Sequence, residues 1–385
     1  MAYAALNARL RALTAAGLYR RRICQESRQG KWVTVDGRQL LNFASNDYLG
    51  LAADTDWQAQ VARCFAQHPP SASASALAGG HSRTIRAAEE SLAEYFGYAE
   101  CVLLPSGYQA NLALLQALAF CGDTVLYDKR IHASTAAAVR AGAATPCGFR
   151  HNDTRHLARR LEKTDKPDST GTKVILVESL YSMDGDSPDF AALRRIKERH
   201  NAILVADEAH AFGVLGTEGR GLATGSADMA VGTLGKALGL FGAFILLPRG
   251  GTELLCNLAS PFIHSTALPD AHAACAAMLP RRIARMEEQR DRVARLSRLM
   301  RTELQGLGLP VHGTAHIITL ETGDEALTSR TAAALRQHGI LALAARHPTV
   351  PARRAVIRLG MTALHSARDV EVCVRSLTTI LRGIV

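Results

Sequence analysis

Short, continuous apolar runs that end on a polar residue recur through the middle of the chain: DTVLYD from Asp123, KVILVES from Lys173, AILVADE from Ala202, MAVGTLGK from Met229 and GAFILLP from Gly242. Strands buried on both faces read this way, because helices cover each side of their sheet and neither face meets water. Helical segments separate several of the runs. The pattern therefore predicts an open, largely parallel α/β sheet with helices on both faces. Such sheets bind ligands outside the carboxyl ends of their strands. Glu178, Asp207 and Lys236 close three of the runs and are the first candidates for chemistry.

The flanks read differently. Residues 1–45 form an N-terminal arm: an amphipathic helix in MAYAALNARLRAL, the triplet Arg20-Arg21-Arg22, and a hairpin in KWVTVDGRQLLNF that turns at Asp36-Gly37. Residues 46–279 make the large domain. From about Pro280 the spacing predicts a long Arg-rich helix (RRIARMEEQRDRVARLSRLMRTELQGLG) and a strand near His316–Glu321. A helix at Ala326–His338, strands near Ile340–Ala345 and Ala355–Leu359, and a helix from Ser366 complete a small α+β domain over 280–385. The run SASASALAGG at 71–80 reads as a loop where something approaches the backbone closely.

Composition narrows the function classes. At 385 residues and 48% hydrophobic, the chain can bury a large core, and with 5% aromatics Leu, Val, Ile and Ala must fill it. The net charge of +10 suits an anionic partner. Apart from the arginine triplet and a few Arg pairs the charge is dispersed, which favours a solvated surface or a small-molecule site over nucleic acid. No two of the cysteines Cys24, Cys64, Cys101, Cys121, Cys147, Cys256, Cys275 and Cys373 lie within four residues, so no CxxC metal or redox pair exists. Several read as buried free thiols. The most apolar stretch, Met229–Pro248, is interrupted by Lys236 and is a poor membrane span. The N-terminus lacks the apolar core of a signal peptide. The expectation is a cytosolic, reduced protein.

Three readings compete for AILVADEAHAFG, where Asp207 ends the strand and His210 follows three residues on. It is an acidic helix start, an NTPase box, or a carboxylate that keeps a pyridinium nitrogen protonated. The NTPase reading requires GxxxxGK[ST]. Gly235-Lys236 comes nearest, but Ala237 follows and no glycine precedes at the right spacing, so that reading fails. The pyridinium reading requires a lysine on a nearby loop, and TLGKALGLFGA supplies Lys236 among Gly235, Gly239 and Gly242. Burial makes a lysine amine available for Schiff-base chemistry. Thr233 is placed to reach a phosphate. Ser106, Gly107 and Tyr108 precede a helix, either as an ordinary cap or as an anion site. His132 in DKRIHAS is either structural or an imidazole laid over a flat ring.

At these residues the chain resembles the α-oxoamine synthases, which use pyridoxal 5'-phosphate (PLP) on fold type I. The matching strings are NFASNDYLGLA from Asn42, SGYQAN from Ser106, HAS from His132, HND from His151, ESLYSMDGD from Glu178, DEAH from Asp207, GRG from Gly219, TLGKALG from Thr233 and STALP from Ser265. The resemblance runs from about Leu18 to the C-terminus. It implies a large domain with a mostly parallel seven-stranded sheet, a smaller α+β C-terminal domain, and PLP held on Lys236. It implies Lys236, Asp207 and His132 as catalytic residues. Asp207 pairs with the ring nitrogen, His210 with the ring hydroxyl oxygen, and His132 stacks on the ring. Glu178 and Ser182 lie in the cofactor pocket. Gly107, Tyr108 and Thr233 hold the phosphate beside Ser106. Thr266 reaches the phosphate of the other subunit, so a homodimer with its site at the interface is implied.

Within the family, HPTVPARRAVIRLGMTALH is similar to members that join L-alanine to a pimeloyl thioester on CoA or an acyl carrier protein. Other members use glycine with acetyl-CoA or succinyl-CoA, or serine with a long acyl chain. The resemblance implies that Arg358 holds the amino-acid carboxylate, that Asn46 and Thr349 contact substrate, and that Arg21 meets the distal carboxylate of the pimeloyl chain. An arginine triplet also suits a solvated face. The chain departs from the pattern at SASASALAGGHSRTIRAAEE, where Ser and Ala replace glycines and Ile85 replaces a histidine, and at the bulky Phe241.

Overall fold

The computed structural model describes residues 2–120, 122–164 and 171–384. It divides into two compact units: Leu49–Ser182 with Ser187–Arg290, and Met1–Tyr48 with Met183–Asp186 and Asp291–Val385.

The chain opens with α1 (Ala2–Ala15), β1 (Ser27–Gln29), β2 (Trp32–Val35) and β3 (Arg38–Asn42). The expected hairpin joins β2 to β3. Val35 and Arg38 close it, and Asp36 (φ 51°) and Gly37 (φ 69°) take the left-handed conformation a two-residue turn demands. The amphipathic α1 forms, with Tyr3, Leu6, Leu10 and Leu13 exposed.

The larger unit holds α2 (Thr55–Gln67), α3 (Arg83–Phe96), β4 (Glu100–Leu104), α4 (Gly107–Leu118), β5 (Thr124–Asp128), α5 (Ala133–Ala141), β6 (Thr145–Phe149), α6 (Thr154–Glu162), β7 (Lys173–Glu178), α7 (Phe190–His200), β8 (Ala202–Asp207), β9 (Met229–Thr233), β10 (Ala243–Leu247), α8 (Gly251–Leu258), α9 (Ser260–Ile263) and α10 (Asp270–Ala284). Its seven-stranded sheet runs β4-β10-β9-β8-β7-β5-β6, with β10 antiparallel to both neighbours and the other pairs parallel. Both faces are covered, as the unbroken apolar runs require. In β7, Val174 and Leu176 pack with Leu114 of α4 and Leu255 of α8, while Ile175 and Val177 pack with Leu157 of α6 and Leu193 of α7. Two strands, β4 and β6, escaped the sequence pattern. β6 lies at the sheet edge with Thr145 and Pro146 exposed, so little apolar signal remains.

The smaller unit adds α11 (Glu287–Gly306) from Asp291 onward, β11 (Val311–His312), β12 (Ile317–Gly323), α12 (Glu325–Gln337), β13 (Ile340–Leu341), β14 (Leu343–Ala345), β15 (Ala355–Gly360) and α13 (Ala367–Ile384). Its sheets are β1-β2-β3-β13 and β11-β12-β15-β14 around a core that includes Leu41, Phe43, Met300, Ile318, Leu359 and Leu377. Two expectations are corrected. The long Arg-rich helix is broken after Ala284, where the Arg290 guanidinium donates to the carbonyls of Ile283 (2.7 Å) and Ala284 (3.4 Å). A side chain thus satisfies carbonyls that a continuing helix would have bonded. The single strand expected over Ile340–Ala345 divides at Ala342, with β13 pairing to β3 and β14 to β15.

Among the described residues no helix is long and apolar enough to cross a membrane. Cys101, Cys275 and Cys373 are buried free thiols and Cys24 is exposed, while Cys121 lies outside the described residues.

The few aromatics are concentrated. Phe244 stacks on Phe96 (5.4 Å) and Phe212 (5.7 Å), and Gly232 gives it room, since a Cβ there would lie 2.2 Å from its ring. Phe244→Ala is expected to cost about 3–5 kcal/mol, read as a lower urea midpoint of unfolding.

Candidate active site

In the larger unit the polar residues that end the parallel strands fall in a row. Glu178 and Asp207 end β7 and β8 and are direct neighbours in register. Thr233 ends β9, Asp128 ends β5, and Ser106 follows β4 by two residues. Asp207 Oδ1 accepts from the Ala209 N–H (3.0 Å) and Oδ2 from Asn111 Nδ2 (2.9 Å). Glu178 is 3% exposed. Its Oε2 accepts from the Ser182 N–H (3.1 Å), and Oε1 is buried without a protein partner. Burial, and secondly the charge of Asp207, push the Glu178 carboxyl well above its ordinary range.

Lys236 sits in the turn between β9 and β10, closed by hydrogen bonds from Leu234 N to Gly242 O and from Gly239 N to Lys236 O. Gly239 is required there, with φ 59° and no room for a Cβ, which would meet Ala52 N at 2.7 Å. Lys236 Nζ lies 2.8 Å from His210 Nε2. The sequence proposed both residues separately, and the fold brings them into one hydrogen bond.

Ser106 caps α4, its hydroxyl accepting from Gln109 N at 3.3 Å. A Cβ built on Gly107 would lie 4.0 Å from Thr233 Cβ, so the start of α4 and the end of β9 adjoin. Thr233 Oγ1 accepts from Gly235 N and donates to Gly242 O, each at 3.2 Å. Helix N–H groups and a hydroxyl converging this way suit a phosphate. Tyr108 is half-exposed beside them. Thr266 is fixed elsewhere, through an antiparallel bridge to Ser75. The close approach expected at 71–80 comes from the chain itself: Ala267 N bonds Ala74 O, and a Cβ on Gly80 would meet Ala74 O at 2.5 Å. Ile85 is a core residue of α3 and Phe241 is exposed.

His132 is the N-cap of α5. Its Nδ1 accepts from the Ser134 N–H (3.3 Å) and lies 2.7 Å from Ser134 Oγ. Burial lowers its pKa. Asn111 and Ser134, which sequence reasoning passed over, lie within the SGYQAN and HAS strings. An amine, a carboxylate, an imidazole and an anion cradle on one sheet edge are what PLP requires, and the orphaned Glu178 Oε1 leaves a polar group for it to meet.

The remaining expected residues belong to the smaller unit. Arg358 of β15 is 2% exposed and donates to Asn46 Oδ1 (3.2 Å) and Tyr48 Oη (3.1 Å). Tyr48, not singled out from the sequence, also bonds Asn46 Oδ1 (3.0 Å). Arg21 lines a cavity of about 740 Å³ with Arg20, Arg22, Arg336, Arg346 and Thr349. Arg20 Nη2 bonds His347 O (3.0 Å) and Thr349 Oγ1 (3.3 Å), and Arg346 bonds Gly17 O, Tyr19 O and Ser329 Oγ. The two arginines tie the arm to the 346–349 loop.

Glu208 explains the GRG string. Fully buried, its carboxylate accepts from the N–H groups of Ala223 (2.6 Å) and Leu222 (3.3 Å), and a Cβ on Gly221 would press on it at 2.7 Å. Burial raises its pKa from 4.5 to about 7. The folded state therefore holds this proton more tightly than the unfolded chain, and the group's contribution to stability is lost as pH rises from 4.5 towards about 7. Unfolding free energies of the wild type and Glu208→Gln, from urea titrations, are expected to diverge over that window in favour of the variant, by up to about 3 kcal/mol, and to run parallel above it.

The family model for class I and II aminotransferases matches residues 38–377. The chain is 39% identical to the 8-amino-7-oxononanoate synthase of Stutzerimonas stutzeri, covering 95% of this chain and 94% of that protein. It is 36% identical to that of Salmonella dublin, with 94% of each covered. Among solved structures, a PLP-bound serine palmitoyltransferase from S. paucimobilis superposes with a TM-score of 0.91 at 25% identity, covering 99% of this chain and 98% of that one. The 8-amino-7-oxononanoate synthase from Francisella tularensis gives 0.76 at 22% identity, covering 89% and 98%, a likeness of fold.

Proposed function

The chain belongs to the class I and II aminotransferase family as a PLP-dependent acyltransferase, and we propose that it condenses L-alanine with a pimeloyl thioester. The products are 8-amino-7-oxononanoate, carbon dioxide and the free thiol of CoA or an acyl carrier protein. The observation that carries the site is the 2.8 Å contact of Lys236 Nζ with His210 Nε2, on the strand edge that presents Asp207. The observation that favours this substrate pair is 36–39% identity to synthases of that name over nearly the full chain.

Bound PLP supplies an electron sink that stabilises a carbanion at the α-carbon. Lys236 carries the cofactor through its amine. Asp207 holds the ring-nitrogen proton, His210 and Ser182 meet the ring hydroxyl edge with Glu178 beside them, and His132 covers the ring face. Ser106, Gly107, Tyr108 and Thr233 bind the phosphate, and Thr266 serves the phosphate of the partner subunit in a homodimer. Arg358, with Asn46, binds the alanine carboxylate. The Lys236 amine would take the proton from the alanine α-carbon, acting as a general base. The acyl group would then join that carbon as the thiolate departs and takes a proton from solvent, carbon dioxide would leave, and the proton held by Lys236 would return to the α-carbon. Arg21 and Thr349 serve the acyl chain. The arginine-lined cavity supports an anionic group there, since guanidinium pairs well with carboxylate.

The high backbone similarity to serine palmitoyltransferase favours a second reading, serine with a longer acyl chain. Mass analysis of products from alanine, glycine or serine with pimeloyl-CoA and a long-chain acyl-CoA separates the two. Pimeloyl transfer to alanine is expected, and a serine product overturns the proposal. Lys236→Ala is expected to lose the visible absorbance of lysine-bound PLP and to lower turnover by at least about a thousandfold. Wild-type absorbance and turnover in that variant would remove Lys236 from its role.

A further inference from the structure

A run of hydrogen bonds inside the larger unit joins two site residues that are far apart in sequence. Asn111 Nδ2 donates to Asp207 Oδ2 (2.9 Å) and to Ser134 Oγ (3.0 Å), and Ser134 Oγ lies 2.7 Å from His132 Nδ1. Asn111 is 6% exposed and Ser134 is fully buried, so water does not compete for these groups.

Counting protons, with the Ser134 backbone N–H included, favours one arrangement. A carboxylate only accepts, so the amide nitrogen of Asn111, and not its oxygen, must face Asp207. The second amide hydrogen goes to Ser134 Oγ. A hydroxyl that accepts there keeps its own hydrogen free for His132 Nδ1. The Ser134 backbone N–H reaches the same Nδ1 at 3.3 Å, and a backbone N–H can only donate. Nδ1 is therefore an acceptor twice over. A neutral imidazole with a bare Nδ1 carries its proton on Nε2.

We infer that Asn111 and Ser134 are positioning residues that hold His132 as the Nε2–H tautomer and tie its ring to Asp207. What the Nε2–H meets rests on the PLP reading above. There His132 is a fixed hydrogen-bond donor, matched to a carboxylate or carbonyl oxygen of the reactants, and not a base. Burial favours the same neutral ring, and so does its seat at the N-terminus of α5, where the helix dipole disfavours a cation.

The test is nitrogen NMR of the full-length, PLP-loaded enzyme labelled with ¹⁵N-histidine, with His132 assigned by the signals lost in His132→Gln. Nδ1 is expected at the shift of an unprotonated ring nitrogen, with a one-bond proton coupling on Nε2 alone. A proton on Nδ1 overturns the inference. In Ser134→Ala, Nδ1 is expected to gain partial protonation and kcat/KM to fall about tenfold, the effect of one ordinary hydrogen bond. Unchanged His132 signals in that variant also overturn it. The tautomer measurement needs no substrate. Failure of alanine and the pimeloyl thioester to react would therefore refute the proposed function and leave the tautomer result standing.

Discussion

Asp207 is the side chain on which the larger unit's site is built. It ends a central strand, where β7 and β9 flank β8, and lies in register with Glu178 at the end of β7 and Val231 within β9. A carboxylate in such a place must be hydrogen-bonded to be tolerated. The chain meets this with one backbone donor from the turn that follows and one amide from α4. Its surroundings reinforce its part as the acceptor. Glu178 beside it and Glu208 after it are both pushed towards their neutral forms by burial. Burial thus opposes the gathering of three charges at this end of the sheet.

The same economy holds in the smaller unit. Arg358 is nearly inaccessible, and Asn46 and Tyr48 bring oxygen acceptors to it. A guanidinium so held keeps a fixed orientation. In that unit Arg20 and Arg346 use their donors on main-chain carbonyls, which fixes the arm and presents Arg21 to the cavity. Closely similar backbones serve relatives with different substrates: the superposition on serine palmitoyltransferase is at 25% identity, while identity to 8-amino-7-oxononanoate synthases reaches 39%. Selectivity in such a fold lies in local side chains and loops, because the sheet only delivers residues to its edge.

The strands of the central sheet were legible because burial on both faces leaves an unbroken apolar run. The hairpin was legible because Asp36-Gly37 suits a tight turn. β6 was hidden, since an edge strand with an exposed Thr145 and Pro146 carries little apolar signal. The break after Ala284 was hidden too, because it depends on a guanidinium folding back from Arg290, and helical periodicity does not register that contact. The division at Ala342 followed from which edges were free to pair, a property of assembled sheets.

By itself the sequence singled out the larger unit's candidate set. Lys236 stood out as a charge in a Gly-rich apolar segment, Asp207 as the end of an apolar strand, and Ser106-Gly107 as a helix start. These are local signals, carried by a residue and its immediate neighbours. Only the tertiary structure decided how the set is wired. Lys236 meets His210 across 26 residues, and Asn111 reaches Ser134 across 23 and Asp207 across 96. The hydrogen bonds of Asn111 exist only where α4 and α5 pack together beside the end of β8. No periodicity or spacing encodes them, because a hydrogen bond depends on distance and direction in space, and the packed core sets both.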